Sequence, residues 1–290
     1  MRTRRLRTLA GAAIALAALS GIAEPAAAGW KVAHWNVMSG FGKGGWSGSC
    51  PFKPGSDCSR NAWGSGVMKR ILIEKVKNDP AVVALTLNEA WTCATPRRIQ
   101  ALLGWAGVAP NHTTAGEVGG VSIVARYGFA GPAEVKALPK CSSSSGQYYI
   151  VRAPVYTDAA RTRVAQVYAT HWKGCAIEAA ATVAFMQKQA YKPRSLTGDL
   201  NVKDPASAAI RTLLGMNYRD AWRVLSGTAA GHTATWNREY GDPPGNLYKR
   251  IDYAFFKTLT PVSIVRFNHN GPAGTCKPSD HAGLIVEYRD

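Results

Sequence analysis

Three things are scarce in this chain of 290 residues. Acidic side chains are few, 18 Asp and Glu against 35 Lys and Arg, so the formal charge is +17. Long apolar runs are few too: apart from Leu9–Ile22 no segment approaches the roughly 18 consecutive apolar residues of a membrane-spanning helix. Cysteines at zinc-ribbon spacing are missing, because none of the six, at 50, 58, 93, 141, 175 and 276, makes a C-x-x-C pair. Internal repeats and low-complexity linkers are missing as well. These absences argue against a membrane-embedded protein, a zinc-ribbon module, a repeat array and a chain of separate domains.

What is present begins with an amino-terminal leader. "MRTRRLRTLAGAAIALAALSGIAEPAAAGW" has a basic start, an alanine-rich apolar stretch and small residues before Gly29. That is the layout of a secretory signal peptide spanning residues 1–28, with cleavage expected after Ala28. The Arg4–Arg5 pair leaves both general and twin-arginine export open. All six cysteines lie beyond the cleavage point, and an even number in an exported chain predicts up to three disulfides. Cys50 and Cys58 bracket a short Pro- and Gly-containing loop and are the expected local pair; the other four allow three pairings.

Loss of the leader removes Arg2, Arg4, Arg5, Arg7 and Glu24. The mature charge is then roughly +14 over roughly 262 residues, enough for one large core and suited to a polyanionic partner. Such charge fits nucleic acid, an anionic membrane surface or cell-wall polymer, and also serves solubility alone.

Strand-type runs recur throughout: "KVAHWNVM", "AVVALTLNEAW", "GVSIVARY", "YYIVRAPVY", "TRVAQVYATHW", "RSLTGDLNV", "RIDYAFF", "VSIVRF" and "AGLIVEYR". Helical patterns lie between them. "SGVMKRILIEKVKNDP" stops at Pro80, "TPRRIQALLGW" opens with Thr95 as N-cap and Pro96 at the first helical position, and "CAIEAAATVAFMQKQAY" is alanine-rich. In "DPASAAIRTLLG" the same device predicts a start at Asp204 and Pro205. The spacing thus predicts packed sheets with helices over their outer faces.

Several strands end in polar residues: Asn36, Glu89, His171, Asp199 with Asn201, Asp252, and Asp280 with His281. One such group is ordinary turn chemistry; strand ends gathered on one rim can form a site. In "SLTGDLNV", Asp199 and Asn201 stand two apart and so share a face of an extended chain. The alternative there is an Asx-type turn. The remaining histidines, His34, His112, His232 and His269, are read as ordinary core or surface residues.

"VAHWNVMSG", "LTLNEAW", "GGVSIVARY", "YATHWKG", "LTGDLNV", "TATWN", "RIDYAFF" and "SDHAG", in this order, resemble the motifs of the endonuclease/exonuclease/phosphatase superfamily. That superfamily includes DNase I-like nucleases, abasic-site endonucleases, the nuclease subunit of cytolethal distending toxin, bacterial sphingomyelinases and inositol-phosphate phosphatases. The resemblance runs from about Lys31 to Tyr288 and implies an α+β, DNase I-like four-layer α/β/β/α sandwich over residues 29–290. It also implies a divalent cation, Mg²⁺ or else Mn²⁺ or Ca²⁺, at Asn36, Glu89 and Asp280. His171, Asp199, Asn201, Asp252 and His281 become the catalytic set: Asp199 takes a proton from or orients water, Asn201 donates to phosphate or holds Asp199, and Asp252 fixes the tautomer of His281. Arg126 and Arg250 are candidate phosphate contacts or structural ion pairs.

The chain also departs from the family pattern. "NEAWTC" has Trp91 where nucleases of the family often carry a basic residue, and only Tyr127 or Tyr148 stands in for the tyrosine of the abasic-site enzymes. The tract from Ser39 to Gly66 is rich in glycine, carries Lys43, Trp46, Phe52, Lys53, Arg60 and Trp63, and suits a nucleic-acid grip, a membrane interface or packing around a disulfide. His232 and Trp236 are expected to wall the pocket. The resulting expectation is a secreted, monomeric, metal-dependent phosphodiesterase acting on nucleic acid, foremost a DNA endonuclease, without stable membrane insertion. The alternatives are a sphingomyelinase-type phospholipid hydrolase, an inositol-phosphate-type phosphatase and a non-enzymatic, basic polyanion-binding protein.

Overall fold

A computed structural model describes residues 29–38, 63–64, 66–91, 93–109, 120–188, 193–227, 249–267 and 278–290. The leader, the expected Cys50–Cys58 pair, most of the aromatic tract, and His112, His232, Trp236 and His269 lie outside the described residues.

Among the described residues, two six-stranded sheets form the centre. The first contains β1 (Trp30–Asn36), β2 (Val82–Asn88), β3 (Gly107–Ala109), β4 (Ser122–Ala125), β11 (Thr260–Phe267) and β12 (Gly283–Arg289), in the order β11-β12-β1-β2-β4-β3. The second contains β5 (Glu134–Ala137), β6 (Tyr149–Tyr156), β7 (Val164–His171), β8 (Arg194–Asp199), β9 (Arg219–Asp220) and β10 (Asp252–Lys257), in the order β5-β6-β7-β8-β10-β9. Each sheet has one parallel pair near its middle, β1 with β2 and β7 with β8, and antiparallel pairs elsewhere. In each parallel pair both chains leave the sheet at the same end.

Alternation along the strands builds three apolar layers. Val32, Val83, Ile123, Val167, Ala169, Phe256 and Tyr288 pack between the sheets. Ala33, Trp35, Leu85 and Leu87 point outward from the first sheet, under α1 (Val67–Ile71), which continues as a π-turn over Leu72–Lys77, and under α2 (Pro96–Leu103). Tyr168, Leu196, Tyr253 and Phe255 point outward from the second sheet, under α3 (Ala176–Gln187) and α4 (Ala208–Gly215). The short helix α5 (Ala221–Ser226) follows β9. This is the expected four-layer α/β/β/α sandwich. No helix among the described residues is long and apolar enough to cross a membrane.

Local signals behave as chemistry requires, with one exception. Thr95 caps α2 by accepting a hydrogen bond from Arg98 N at 3.3 Å, and Pro96 takes the first helical position. Glu178 closes a capping box with Cys175 at the start of α3. The predicted start of α4 at Asp204 is corrected: Asp204 Oδ1 accepts from Ala206 N at 2.8 Å in a preceding turn, and Ser207 is the N-cap, accepting from Ile210 N at 3.3 Å. Two capping side chains stand three residues apart there, and the nearer one to the apolar stripe starts the helix. Cys141 and Cys175 form a disulfide, with Cα atoms 5.9 Å apart, and Cys93 is disulfide-bonded as well.

Candidate active site

The face between the sheets changes character along its length. On β1 it carries Trp30 and Val32, then His34 and Asn36; on β8 it ends in Thr197 and Asp199; on β7 it runs through Val167 and Ala169 to His171. On β10 it begins with Asp252 and continues as Ala254 and Phe256. The apolar half is the core, and the polar half is the site. Because β1, β2, β7 and β8 all finish at one rim, Asn36, Glu89, His171 and Asp199 meet there. The antiparallel register Asp252↔Asp199 adds the start of β10, and the turn into β12, beside β1, adds Asp280 and His281.

Glu89 and Asn201, both at φ 52°, hold left-handed backbone at this rim, as does Met38 at φ 44° just past Asn36. Such conformations cost of order 1–3 kcal/mol and persist where surroundings enforce them, often at functional sites. Gly120 enforces the first: its carbonyl accepts from Ala90 N at 3.0 Å, and a Cβ on it would lie 2.4 Å from that nitrogen. The glycine of the quoted "GDLN" has a different reason. A Cβ at Gly198 would stand 2.0 Å from Thr170 O, so β7 and β8 approach too closely for any side chain.

Asp199 is the hub. Its Oδ2 accepts from Asn36 Nδ2 at 3.1 Å and lies 3.6 Å from the Nε2 atoms of both His171 and His281. Its Oδ1 accepts from Asn201 N at 2.9 Å, the Asx-type contact weighed as an alternative, here inside the site rather than instead of it. Asn201 Nδ2 donates to Trp172 O at 2.8 Å and lies 3.3 Å from His171 Nε2. Asn36 Nδ2 also donates to Glu89 Oε1 at 3.0 Å, while its Oδ1 accepts from Met38 N at 3.1 Å. Asn36 therefore aims its amide hydrogens at two carboxylates and orients them.

His281 Nδ1 sits 2.7 Å from Asp252 Oδ2, as expected of that pair, and leaves Nε2 facing Asp199 and, at 3.9 Å, Asp280 Oδ1. The main chain locks this arrangement: Ser279 Oγ donates to Asn36 O at 2.6 Å and accepts from His281 N at 3.1 Å. Tyr148 meets the ring of His171 edge-on, with centroids 4.9 Å apart.

The two proposed phosphate-facing arginines are elsewhere engaged. Arg126 donates to the carbonyls of Val76, Lys77, Asp79 and Val82 and lies over Trp105, at the far end of β2, about 20 Å of strand from Glu89. Arg250 forms a two-pronged ion pair with Asp220 at 3.0 and 2.6 Å and stacks on Tyr253. Both take the structural role that stood as the alternative to phosphate contact: a guanidinium ties down whatever acceptors it can reach in register.

Sequence reasoning missed His34, Asn88, Thr86, Thr197 and Ser279. Asn88 Oδ1 accepts from Asp199 N at 2.7 Å across the two sheets. His34, expected to be an ordinary core or surface residue, is buried, and its Nε2 lies 3.1 Å from Asp252 Oδ1. The available signal was spacing: His34 stands two residues before Asn36 and so shares its inward face.

Charge here is crowded. Burial pushes the Glu89 carboxyl up, and Asp280 beside it adds to the effect. Burial likewise raises Asp199 to about 8, against the opposing pull of His281 and helped by Asp252 and Glu89. Asp252 goes the other way: burial opposes ionisation, but His281 and His34 hold it below the usual carboxylate range. His281 is raised well above 6.5, since Asp252, Asp280 and Asp199 outweigh its burial. Ligand atoms of Glu89, His171 and Asp199 lie within 4.8 Å of one another, as do those of Asp199, Asp252 and His281. The carboxylates of Glu89 and Asp199, kept close and pushed toward their protonated forms, fit a divalent cation, which would relieve that repulsion.

The chain matches the model of the Endonuclease/Exonuclease/phosphatase family over residues 29–281. No curated protein matches it. Among solved structures it is similar to an endonuclease/exonuclease/phosphatase from Beutenbergia cavernae, at 18% identity and TM-score 0.61, covering 90% of this chain and 71% of that one. It is also similar to a Bacteroides thetaiotaomicron mannosyl-6-phosphatase, at 15% identity and TM-score 0.63, covering 90% and 100%. A third is D. rerio TDP2 complexed with single strand DNA product, at 13% identity and TM-score 0.62, covering 90% and 99%. At these identities the likeness speaks to fold alone; the family match rests on sequence over most of the chain, and by it this protein belongs to the Endonuclease/Exonuclease/phosphatase family.

Proposed function

We propose that the protein is an exported, metal-dependent phosphodiesterase that hydrolyses nucleic acid, acting as a DNA endonuclease. Members of its family are phosphoesterases, and the observation that carries the hydrolytic reading is the buried arrangement around Asp199, with two imidazole Nε2 atoms each 3.6 Å from one carboxylate oxygen. The choice of nucleic acid rests on charge: the roughly +14 left once the leader is removed favours a polyanion over a single phosphate ester or a neutral lipid headgroup. Among fold neighbours, one carries a DNA product and another is a sugar phosphatase, so the scaffold by itself does not select. Export and a monomeric state remain part of the proposal, the former supported by the leader's layout and the Cys141–Cys175 disulfide.

Glu89, with Asp280 beside it and Asn36 orienting its carboxylate, would hold Mg²⁺ or a similar ion. When bound, such an ion supplies positive charge to a phosphoryl oxygen and to the departing oxygen. The protein's own groups do the rest. Asp199 accepts a proton from, or aligns, the attacking water, and its backbone N–H bond to Asn88 and its Asn201 contact fix its angle. His281, steadied by Asp252, and His171, steadied beside Asn201 and Tyr148, present Nε2 atoms to oxygens of the ester.

The test is a substrate panel: plasmid DNA, sphingomyelin vesicles and inositol phosphates, each with Mg²⁺ and with chelator. The expected result is conversion of supercoiled plasmid to nicked and linear forms, abolished by chelator. Cleavage of lipid or inositol phosphate with intact plasmid would replace this reading by one of its alternatives, and binding of DNA without hydrolysis of any ester would leave the polyanion-binding reading.

A further inference from the structure

We propose that His34 is a positioning residue: it fixes Asp252, and through it His281, by a hydrogen-bonded chain that runs between the two sheets directly beneath the site. The inference rests on the hydrolytic reading above but concerns a residue that reading does not use. Asp252 is buried, and its two oxygens are engaged by two different rings, Oδ2 by His281 Nδ1 at 2.7 Å and Oδ1 by His34 Nε2 at 3.1 Å. The two ring donors meet different oxygens of the carboxylate and so bear on its plane. The plane of Asp252 in turn sets the direction in which His281 presents Nε2.

The other end of His34 is held as well. His34 Nδ1 lies 3.0 Å from Thr86 Oγ1, and Thr86 Oγ1 lies 2.6 Å from Thr197 Oγ1. A carboxylate only accepts, so His34 must donate through Nε2, which leaves Nδ1 as acceptor in the neutral ring. The hydroxyl of Thr86 then donates to Nδ1, and the hydroxyl of Thr197 donates to Thr86. Donation runs in one sense from Thr197 through Thr86 and His34 to Asp252, with His281 donating from the opposite side. The competing use of the Thr86 hydrogen, toward Ala33 O, is longer at 3.3 Å.

Position matters as much as bonding. His34 and Thr86 belong to the first sheet, and Asp252 and Thr197 to the second. The chain therefore crosses the interlayer twice, where its filling has turned from apolar to polar. Two residues beyond His34 on the same face, Asn36 donates to both Glu89 and Asp199. His34 thereby registers the half of the site on the first sheet against the half on the second. A histidine that only filled core space would need neither partner.

The experiment compares the full chain with His34→Leu, which keeps bulk and removes both bonds, and His34→Gln, whose amide still donates toward Asp252. Plasmid cleavage with Mg²⁺ supplies kcat and KM, and thermal melting reports folding. The expected result is a kcat lowered roughly 10- to 100-fold in His34→Leu with KM nearly unchanged, and recovery to within about 5-fold of wild type in His34→Gln. A folded His34→Leu with wild-type kcat, or a His34→Gln no better than it, overturns the inference. Should His34→Leu not fold, Thr86→Val serves instead, with a smaller loss in kcat expected and an unchanged kcat overturning it. Nitrogen-15 spectra of the histidine-labelled, metal-free protein give a readout independent of activity: the Nε2–H tautomer is expected at His34, and an Nδ1–H tautomer refutes the chain. An inactive wild type on every ester sinks the hydrolytic reading, whereas an active wild type indifferent to His34 sinks only this one.

Discussion

Asp252 shows how a single buried carboxylate can govern the charge of its neighbours. Placed 2.7 Å from His281 Nδ1, it stays ionised below the usual carboxylate range and, against burial, helps keep the His281 imidazole charged well above 6.5. Replacing it by Asn removes the largest of the charges that oppose burial, so the His281 pKa falls; a carbon-bound imidazole proton followed by NMR against pH in metal-free protein measures the fall. The sign for stability follows. The raised His281 contributes stability in full below its unfolded value near 6.5 and loses it as pH rises through the folded value; the depressed Asp252 contributes above about 4 and loses it as pH falls. The stability gap between wild type and Asp252→Asn is therefore widest between about pH 4 and about pH 6.5. Urea titrations across that window read it, and a gap that grows above pH 8 contradicts the pairing. Asp199→Asn tests the hub itself: the side chain keeps its shape and one acceptor but loses the base, so cleavage should drop about 10²- to 10⁴-fold while the melting temperature holds or rises. A rise is reasonable because Asp199, lifted to about 8, is a group whose ionisation the fold resists.

At the scale of elements, the parallel pair β7 and β8 carries the tightest constraint. Gly198 has the backbone of Thr170 where a Cβ would go, at 2.0 Å, and the obstacle is backbone rather than a movable side-chain tip. Gly198→Ala must part the strands that hold His171 and Asp199 in register, at a cost of about 2–3 kcal/mol in urea unfolding together with a fall in cleavage. The Cys141–Cys175 bond ties the segment before β6 to the first residue ahead of α3 across 34 positions. Changing both cysteines to Ala should cost about 3–4 kcal/mol, most of it through the unfolded chain. Elements of this kind were partly legible in advance. Alternation located the strands, and Thr95 with Pro96 located α2, because both signals are local. The start of α4 was misplaced because Asp204 and Ser207 are equally good caps, and only packing of the following apolar stripe chooses between them. His34 was passed over for a related reason: its partner Asp252 is 218 residues away, and no local pattern says which carboxylate will face it. For Arg126, phosphate contact and a structural role were both open, because strand ends come in two directions, and the β2–β4 pairing is antiparallel. Its guanidinium therefore lies at the rim opposite the site.

For the whole molecule the controlling quantity is net charge, and it separates the nucleic-acid reading from its alternatives by a physical signature. A polynucleotide brings its condensed counterions to the cleft, and each phosphate that the protein neutralises releases them. A footprint of about five phosphates gives a slope near −4 to −5 for log binding constant against log salt, or a loss of several hundred-fold between about 50 and about 200 mM. An isolated phosphomonoester or a zwitterionic lipid headgroup has no such atmosphere, and its turnover should change by only a few-fold over that range. The measurement is kcat/KM for plasmid nicking at fixed low Mg²⁺ and increasing monovalent salt, with kcat taken separately at saturating DNA. If charge acts by attraction at long range, the fall lies in KM while kcat holds, because the Asp199 cluster is buried and screened little by the bulk salt. A flat response would mean that the surplus of Lys and Arg serves solubility and not substrate capture, and the smaller phosphate esters would then be the better fit to this cleft.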